Sequence, residues 1–112
     1  MVLGVAAGAF GAHGLSSYFE RFPDMEGVFE TAVRYHIYHA LGILFIALAA
    51  DKWPVPLTAW SGYLLLAGVI LFSGSLYLLV FTRVRILGAI TPLGGVAFLA
   101  GWACLFLAAW RS

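Results

Sequence analysis

Residues 53–82 constrain this chain most, because thirty consecutive positions there carry no charged side chain. A helix that spans a bilayer needs about 20 mostly apolar residues, each adding about 1.5 Å of length. A helix in the core of a soluble protein would instead present a polar face about every 3.6 residues. Residues 53–82 are too uniformly apolar for that arrangement, so they predict a helix that crosses a membrane.

The composition of the whole chain also indicates a lipid environment. Hydrophobic residues make up 63% and charged residues 10% of the 112 positions, with a mean hydropathy of +1.00. Soluble domains carry about 25% charged residues, so both values are typical of a membrane protein. The net charge of +1 argues against nucleic-acid binding, which needs clustered basic residues. The single cysteine, Cys104, excludes an internal disulfide and a cysteine-based metal cluster.

The order of apolar segments predicts an all-α fold, namely an integral membrane four-helix bundle in one domain. The predicted helices cover about residues 1–16, 26–50, 57–81 and 86–110. The first is short, at about 22 Å against a hydrocarbon core of about 30 Å. The connection after it repeats apolar side chains at steps of three and four residues, which predicts an amphipathic segment at the membrane interface. Pro92 lies inside the fourth segment and predicts a kink or a wide turn there.

Small residues are concentrated in the first and fourth helices. Small side chains spaced four residues apart let two helix backbones approach closely, which is how helices associate where lipid removes the hydrophobic driving force. We therefore predict helix-packing positions at Gly4, Gly8, Gly11, Gly94, Gly95 and Gly101.

A polar stripe opens the second helix. Glu30, Arg34 and Tyr38 follow one another at four-residue spacing and share one face of the helix. With the acid before the base, this spacing favours an ion pair that stabilises the helix. We predict a structural polar cluster of these three side chains.

The histidines are the polar residues that most need an explanation. His13 ends the first helix and His39 lies early in the second, so both are predicted near one membrane face. Hydrogen bonds between helices are the interpretation we favour. A metal or haem site using His13 with His36 or His39 is an alternative, and a quinone or proton-coupled site is another. The ligand hypotheses place His13, Tyr35, His39 and Tyr77 around the site, while His36 is predicted to contact interfacial water.

Four ordered motifs resemble one known family. They are GAFGAHGL (8–15), FETAVRYHIYHAL (29–41), LFSGSLYLL (71–79) and ITPLGGVAFLAGW (90–102). Together they resemble the signatures of the domain of unknown function 423 family of small bacterial membrane proteins. The resemblance implies a four-helix integral membrane protein with no established activity. It places His13 and His39 on histidines of the family motifs, whereas His36 stands where the family has glutamine.

No arrangement of residues in the sequence is typical of a catalytic site. A Ser-His-Asp order, a glycine-rich phosphate loop and a pair of catalytic carboxylates are all missing. We therefore predict a protein of the bacterial cytoplasmic membrane that is not an enzyme, holds no cofactor and contacts the lipid bilayer. Its predicted role is that of a packing or accessory subunit in a homo-oligomer or larger complex. The alternatives are a site for quinone, haem or another small hydrophobic ligand, and a small oligomeric transporter.

Overall fold

The computed structural model describes residues 1–111, and these residues are helical almost throughout. The α-helices are α1 Val2–His13, α2 Ser16–Arg21, α3 Asp24–Lys52, α4 Pro56–Gly68, α5 Gly74–Thr82 and α6 Thr91–Arg111. A π-helical segment, Val69–Ser73, joins α4 to α5, and a 3₁₀ segment, Arg85–Ala89, precedes α6. Residues 1–111 contain no strand, so the predicted all-α fold is confirmed.

Three helical stretches are long and apolar enough to cross a membrane. They are α3, the continuous stretch Pro56–Thr82, and the stretch Arg85–Arg111. The remaining long helix, α1, has 12 residues and is therefore about 18 Å long, shorter than the hydrocarbon core. It packs beside α3, and the six-residue α2 forms the connection between them. The prediction of a membrane bundle with a short first helix is confirmed.

The charges along α3 set a depth scale for the bundle. Asp24 and Glu26 lie in the first turn, where carboxylates suit the positive end of the helix dipole. The charged part continues to Arg34, and no charged residue follows until Asp51. Residues 35–50 therefore provide an uncharged length of about 24 Å, somewhat less than the hydrocarbon core of about 30 Å.

The second span contains a feature that the sequence prediction of one regular helix over 57–81 does not include. The backbone widens into a π-helix at Val69–Ser73. Ser73 Oγ donates a hydrogen bond to the carbonyl oxygen of Ala32 in α3, 2.7 Å away. On the other side, the backbone of Phe72 lies against Gly94 of α6. The π segment therefore lies between α3 and α6 and contacts both helices.

Pro92 begins a helix in the structure. Helix α6 starts at Thr91, which places Pro92 in its first turn. A first-turn N–H has no partner within the helix, so proline is tolerated there without a kink. The hydroxyl groups of Thr91 and Ser75 are hydrogen-bonded at 2.6 Å and join the start of α6 to α5. The irregularity predicted at Pro92 thus corresponds to the junction at Ile90 between the 3₁₀ segment and α6, not to a kink inside a regular helix.

Most of the glycines singled out from the sequence lie where helices meet. On α1, Gly4, Gly8 and Gly11 face Ile37, Val33 and Phe29 of α3, so the two helices run antiparallel. On α6, Gly94 and Gly101 lie against Phe72 and Leu65 of the second span. A β-carbon at Gly95 would meet nothing within 4 Å, so this glycine makes no such contact.

Candidate functional site

A cleft lined mainly by aromatic side chains lies between α3 and α6. Its volume is about 440 Å³. We call it the aromatic cleft, and its lining residues are Tyr35, His39, Phe72, Pro92, Gly95, Val96, Phe98, Leu99 and Trp102. Val96 and Leu99 are 63% and 73% exposed, so the cleft opens toward the surface that faces lipid.

His39 lies near the middle of α3. Helix α3 runs from Asp24 to Lys52, which puts His39 about 22 Å from the first residue and about 20 Å from the last. The sequence prediction placed it near one membrane face. On α3 itself, His39 lies five residues, about 8 Å, beyond Arg34, the last charged residue before the uncharged stretch 35–50.

The imidazole of His39 is held between aromatic rings. Its side chain is 6% exposed. The ring of Phe98 stacks on it at a centroid distance of 3.5 Å, with 9° between the planes. Tyr35 is also parallel to it at 5.9 Å, and Trp102 lies 5.8 Å away. These contacts fix the plane of the imidazole relative to the cleft.

A hydrogen bond fixes the tautomer of His39. Its Nδ1 lies 2.8 Å from the carbonyl oxygen of Tyr35, one turn earlier in α3. A carbonyl oxygen only accepts, so Nδ1 carries the proton and Nε2 of the neutral ring is an acceptor. Nε2 has no hydrogen-bond partner among residues 1–111, where every fully buried side-chain nitrogen or oxygen has one. Nε2 is therefore not fully buried and is an unused acceptor on a residue that lines the cleft.

The four residues of the predicted ligand site do not come together. Tyr35 and His39 share the aromatic cleft. His13 is exposed at the end of α1. Because α1 and α3 are antiparallel and Gly11 faces Phe29, His13 lies more than about 15 Å along α3 from His39.

Tyr77 contacts a different histidine. Its hydroxyl group and Nδ1 of His36 are hydrogen-bonded at 2.9 Å, with the two rings edge to face. His36 is partly buried, so the prediction that it contacts only interfacial water is wrong. The pair joins α3 to α5 outside the aromatic cleft.

Sequence reasoning named Tyr35 but missed the other aromatic residues of the cleft, Phe72, Phe98 and Trp102. Phe98 and Trp102 are four residues apart and share one face of α6, and Phe72 lies in the π segment. The spacing of Phe98 and Trp102 was a usable signal. It was not distinctive, however, because 16% of the chain is aromatic.

A second cavity, which we call the interfacial cavity, lies between α1, α2 and α3. Its volume is about 640 Å³, and Gly8, Gly11, Ala12, Ser16, Phe19, Glu20, Glu26, Phe29, Glu30, Val33 and Arg34 line it. The predicted ion pair between Glu30 and Arg34 is not formed. Within residues 1–111 the ion pair is that of Asp24 with Arg85, at 4.0 Å between exposed side chains. Tyr38 is exposed and packs edge to face on Tyr35, not on the two charges.

Residues 1–111 contain no group of three or more histidine, cysteine, aspartate or glutamate side chains that could hold a metal ion. Fold and cavities together define a small helical membrane protein with three stretches long enough to span, a short helix beside them and an aromatic cleft between α3 and α6. The family model described as "Protein of unknown function (DUF423)" matches residues 7–95. The chain therefore belongs to this family, as the sequence motifs predicted.

Curated relatives cover nearly the whole chain. The UPF0382 membrane protein YwdK of Bacillus subtilis is 50% identical over 110 residues, which cover 96% of this chain and 87% of the relative. The UPF0382 membrane protein SH2409 of Staphylococcus haemolyticus is 44% identical, with 98% and 88% covered. A UPF0382 membrane protein of Staphylococcus epidermidis is 46% identical, with 96% and 85% covered. No solved structure matches. The relatives confirm a bacterial membrane protein, and the family description names no activity.

Proposed function

We propose that the protein binds a small hydrophobic ligand in the aromatic cleft, with Nε2 of His39 accepting a hydrogen bond from a hydroxyl group of that ligand. The observation that carries this proposal is the unused acceptor on a nearly buried imidazole whose other nitrogen is already bonded. In hydrocarbon an unsatisfied polar group is costly, so a donor that enters the cleft is favoured.

The chemistry of the cleft narrows the class of ligand. Its volume of about 440 Å³ lies within the range of about 300–1,000 Å³ that is typical of ligand pockets. The indole ring of Trp102, which is 39% exposed, favours a flat ligand that stacks, and the opening toward lipid leaves room for an apolar tail. A quinol has such a ring and two hydroxyl donors, whereas a quinone offers only carbonyl acceptors. The neutral His39 tautomer therefore favours a quinol over the corresponding quinone.

The proposed role is binding without catalysis. His39 is the one histidine, carboxylate or thiol among the residues that line the cleft, and it has no partner that would activate it. Haem is the alternative ligand, because the same Nε2 atom is the one an iron would use. An absorption spectrum of the purified protein distinguishes the two, since haem gives a Soret band and a quinol does not.

The test is a titration of the detergent-purified protein with a short-tailed benzoquinol and, separately, with its quinone. Binding is measured as quenching of Trp102 fluorescence. To isolate that signal, Trp53, Trp60 and Trp110 are replaced by phenylalanine. His39→Phe keeps a flat ring but removes the acceptor, and we expect it to weaken quinol binding about tenfold. His13→Phe, outside the cleft, is the matched control. Binding of quinol that is unchanged in His39→Phe, or no tighter than that of quinone, would contradict the proposal.

A role as a packing or accessory subunit is the second candidate, and Gly95 supports it. The other five glycines of the predicted set contact helices of the same chain, whereas the face of Gly95 is open. That face borders the aromatic cleft, so a helix of another subunit or a second copy that packed closely there would cover the cleft. Cross-linking in membranes followed by purification in mild detergent tests this role, with Gly95→Leu as the blocking variant. A partnerless monomer would count against it.

A further inference from the structure

The interfacial cavity contains an ordered row of charges. Glu26, Glu30 and Arg34 line it at four-residue spacing, so they lie on one face of α3. Each step is about 6 Å along the helix axis. Arg34 is the last charged residue before the uncharged stretch 35–50. The carboxylates are therefore outermost, and the guanidinium lies at the boundary of the hydrocarbon core.

The wall opposite these charges is formed by small and apolar side chains. Gly8 and Gly11 of α1 face α3 without a β-carbon, and the ring of Phe29 lies against Gly11. Phe19 of α2 is buried at the same end and contacts the ring of Phe29 at 5.6 Å. The cavity of about 640 Å³ thus has charges along one wall and an apolar floor.

These charges are available to a ligand. Glu30 and Arg34 are exposed, and neither belongs to the ion pair found within residues 1–111. Glu20 of α2 is the other charged residue that lines the cavity, and it adds a third carboxylate. Along α3 the cavity therefore offers carboxylates nearer to water and one guanidinium nearer to the hydrocarbon core.

We propose that the interfacial cavity binds the phosphoethanolamine headgroup of a membrane lipid. The ammonium group donates hydrogen bonds to Glu26 and Glu30, and the phosphate lies against the guanidinium of Arg34. The acyl chains continue along the uncharged part of α3. From water toward hydrocarbon, the protein presents carboxylates first and the guanidinium second. The lipid presents its ammonium group first and its phosphate second, so each group meets the opposite charge.

The same groups discriminate against other headgroups. An anionic phosphatidylglycerol lacks an ammonium group and would place its headgroup among carboxylates. Phosphatidylcholine has the same charges, but its quaternary nitrogen has no N–H to donate to Glu30. This site is independent of the aromatic cleft and of the ligand proposed there.

The experiment uses the full chain in nanodiscs made from equal parts of phosphatidylethanolamine, phosphatidylglycerol and phosphatidylcholine. The protein is extracted in mild detergent, and the lipids it retains are quantified by mass spectrometry. We expect phosphatidylethanolamine to be retained several-fold above both other lipids. Arg34→Gln and Glu30→Gln should each return the retained lipids toward the bulk ratio.

Asp51→Asn and Arg111→Gln are the matched controls, because they remove charges at the opposite end of the bundle and should retain the wild-type ratio. Circular dichroism verifies that each variant is folded, which is expected because the substituted side chains are exposed. Equal retention of phosphatidylcholine and phosphatidylethanolamine, preference for phosphatidylglycerol, or unchanged ratios in Arg34→Gln and Glu30→Gln would overturn the proposal.

Discussion

Replacing Gly94 by alanine is expected to destabilise the bundle, whereas the same replacement at Gly95 is not. A β-carbon at position 94 would lie 2.7 Å from both Cα and Cβ of Phe72. A β-carbon at position 95 would meet nothing within 4 Å. Phe72 belongs to the π segment between α3 and α6, so the obstacle at position 94 is backbone and cannot rotate away like a flexible side chain.

The size of the effect follows from this geometry. Carbon atoms pack best at about 3.5–4.0 Å, so the two backbones would have to separate by about 1 Å. Overpacking of this kind typically costs about 1–3 kcal/mol. Alanine also gains up to about 1 kcal/mol over glycine in helix propensity, and this gain applies at both positions. The difference between Gly94→Ala and Gly95→Ala therefore isolates the clash and is expected to be about 1–3 kcal/mol.

The measurement is reversible unfolding in mixed micelles, in which a denaturing detergent is titrated into a mild one and helix content is followed by circular dichroism. Gly95→Ala should unfold at the same or a higher fraction of denaturing detergent than the wild type, and Gly94→Ala at a lower one. If the two variants unfold together, the close contact between Phe72 and α6 does not determine stability and the reasoning fails.

Two further predictions concern polar side chains, and both are read from the same unfolding assay. His39→Ala should destabilise the protein more than His36→Ala. It removes a nearly buried ring that stacks on Phe98, whereas His36 is only partly buried. Equal shifts of the unfolding transition in the two variants would contradict this order. Ser73→Ala should lower the free energy of unfolding by about 0.6–1.7 kcal/mol, because it removes the buried hydrogen bond to α3. Ser16→Ala removes an exposed hydrogen bond to His13 and should lower it by less. A larger loss in Ser16→Ala than in Ser73→Ala would refute this explanation.

The sequence was informative where charge and length decide the structure. The uncharged run 53–82 predicts a span because no soluble core helix is so uniformly apolar, and the structure places a helix at Pro56–Thr82. The contact of His36 with Tyr77 joins residues 41 positions apart. Such a contact depends on how α3 and α5 are rotated about their axes. Hydropathy carries no information on that rotation, because nearly every face of these helices is apolar.

The π segment explains why that rotation escaped prediction. An α-helix turns by about 100° per residue, and a π turn takes up about one residue more than an α turn. A regular helix through Val69–Ser73 would therefore present Ser75 and Tyr77 in directions about 100° away from the observed ones. The observed directions bring Ser75 to Thr91 and Tyr77 to His36. Since Phe72 also lines the aromatic cleft, one local widening of the backbone sets both the packing of α5 and one wall of the proposed ligand site.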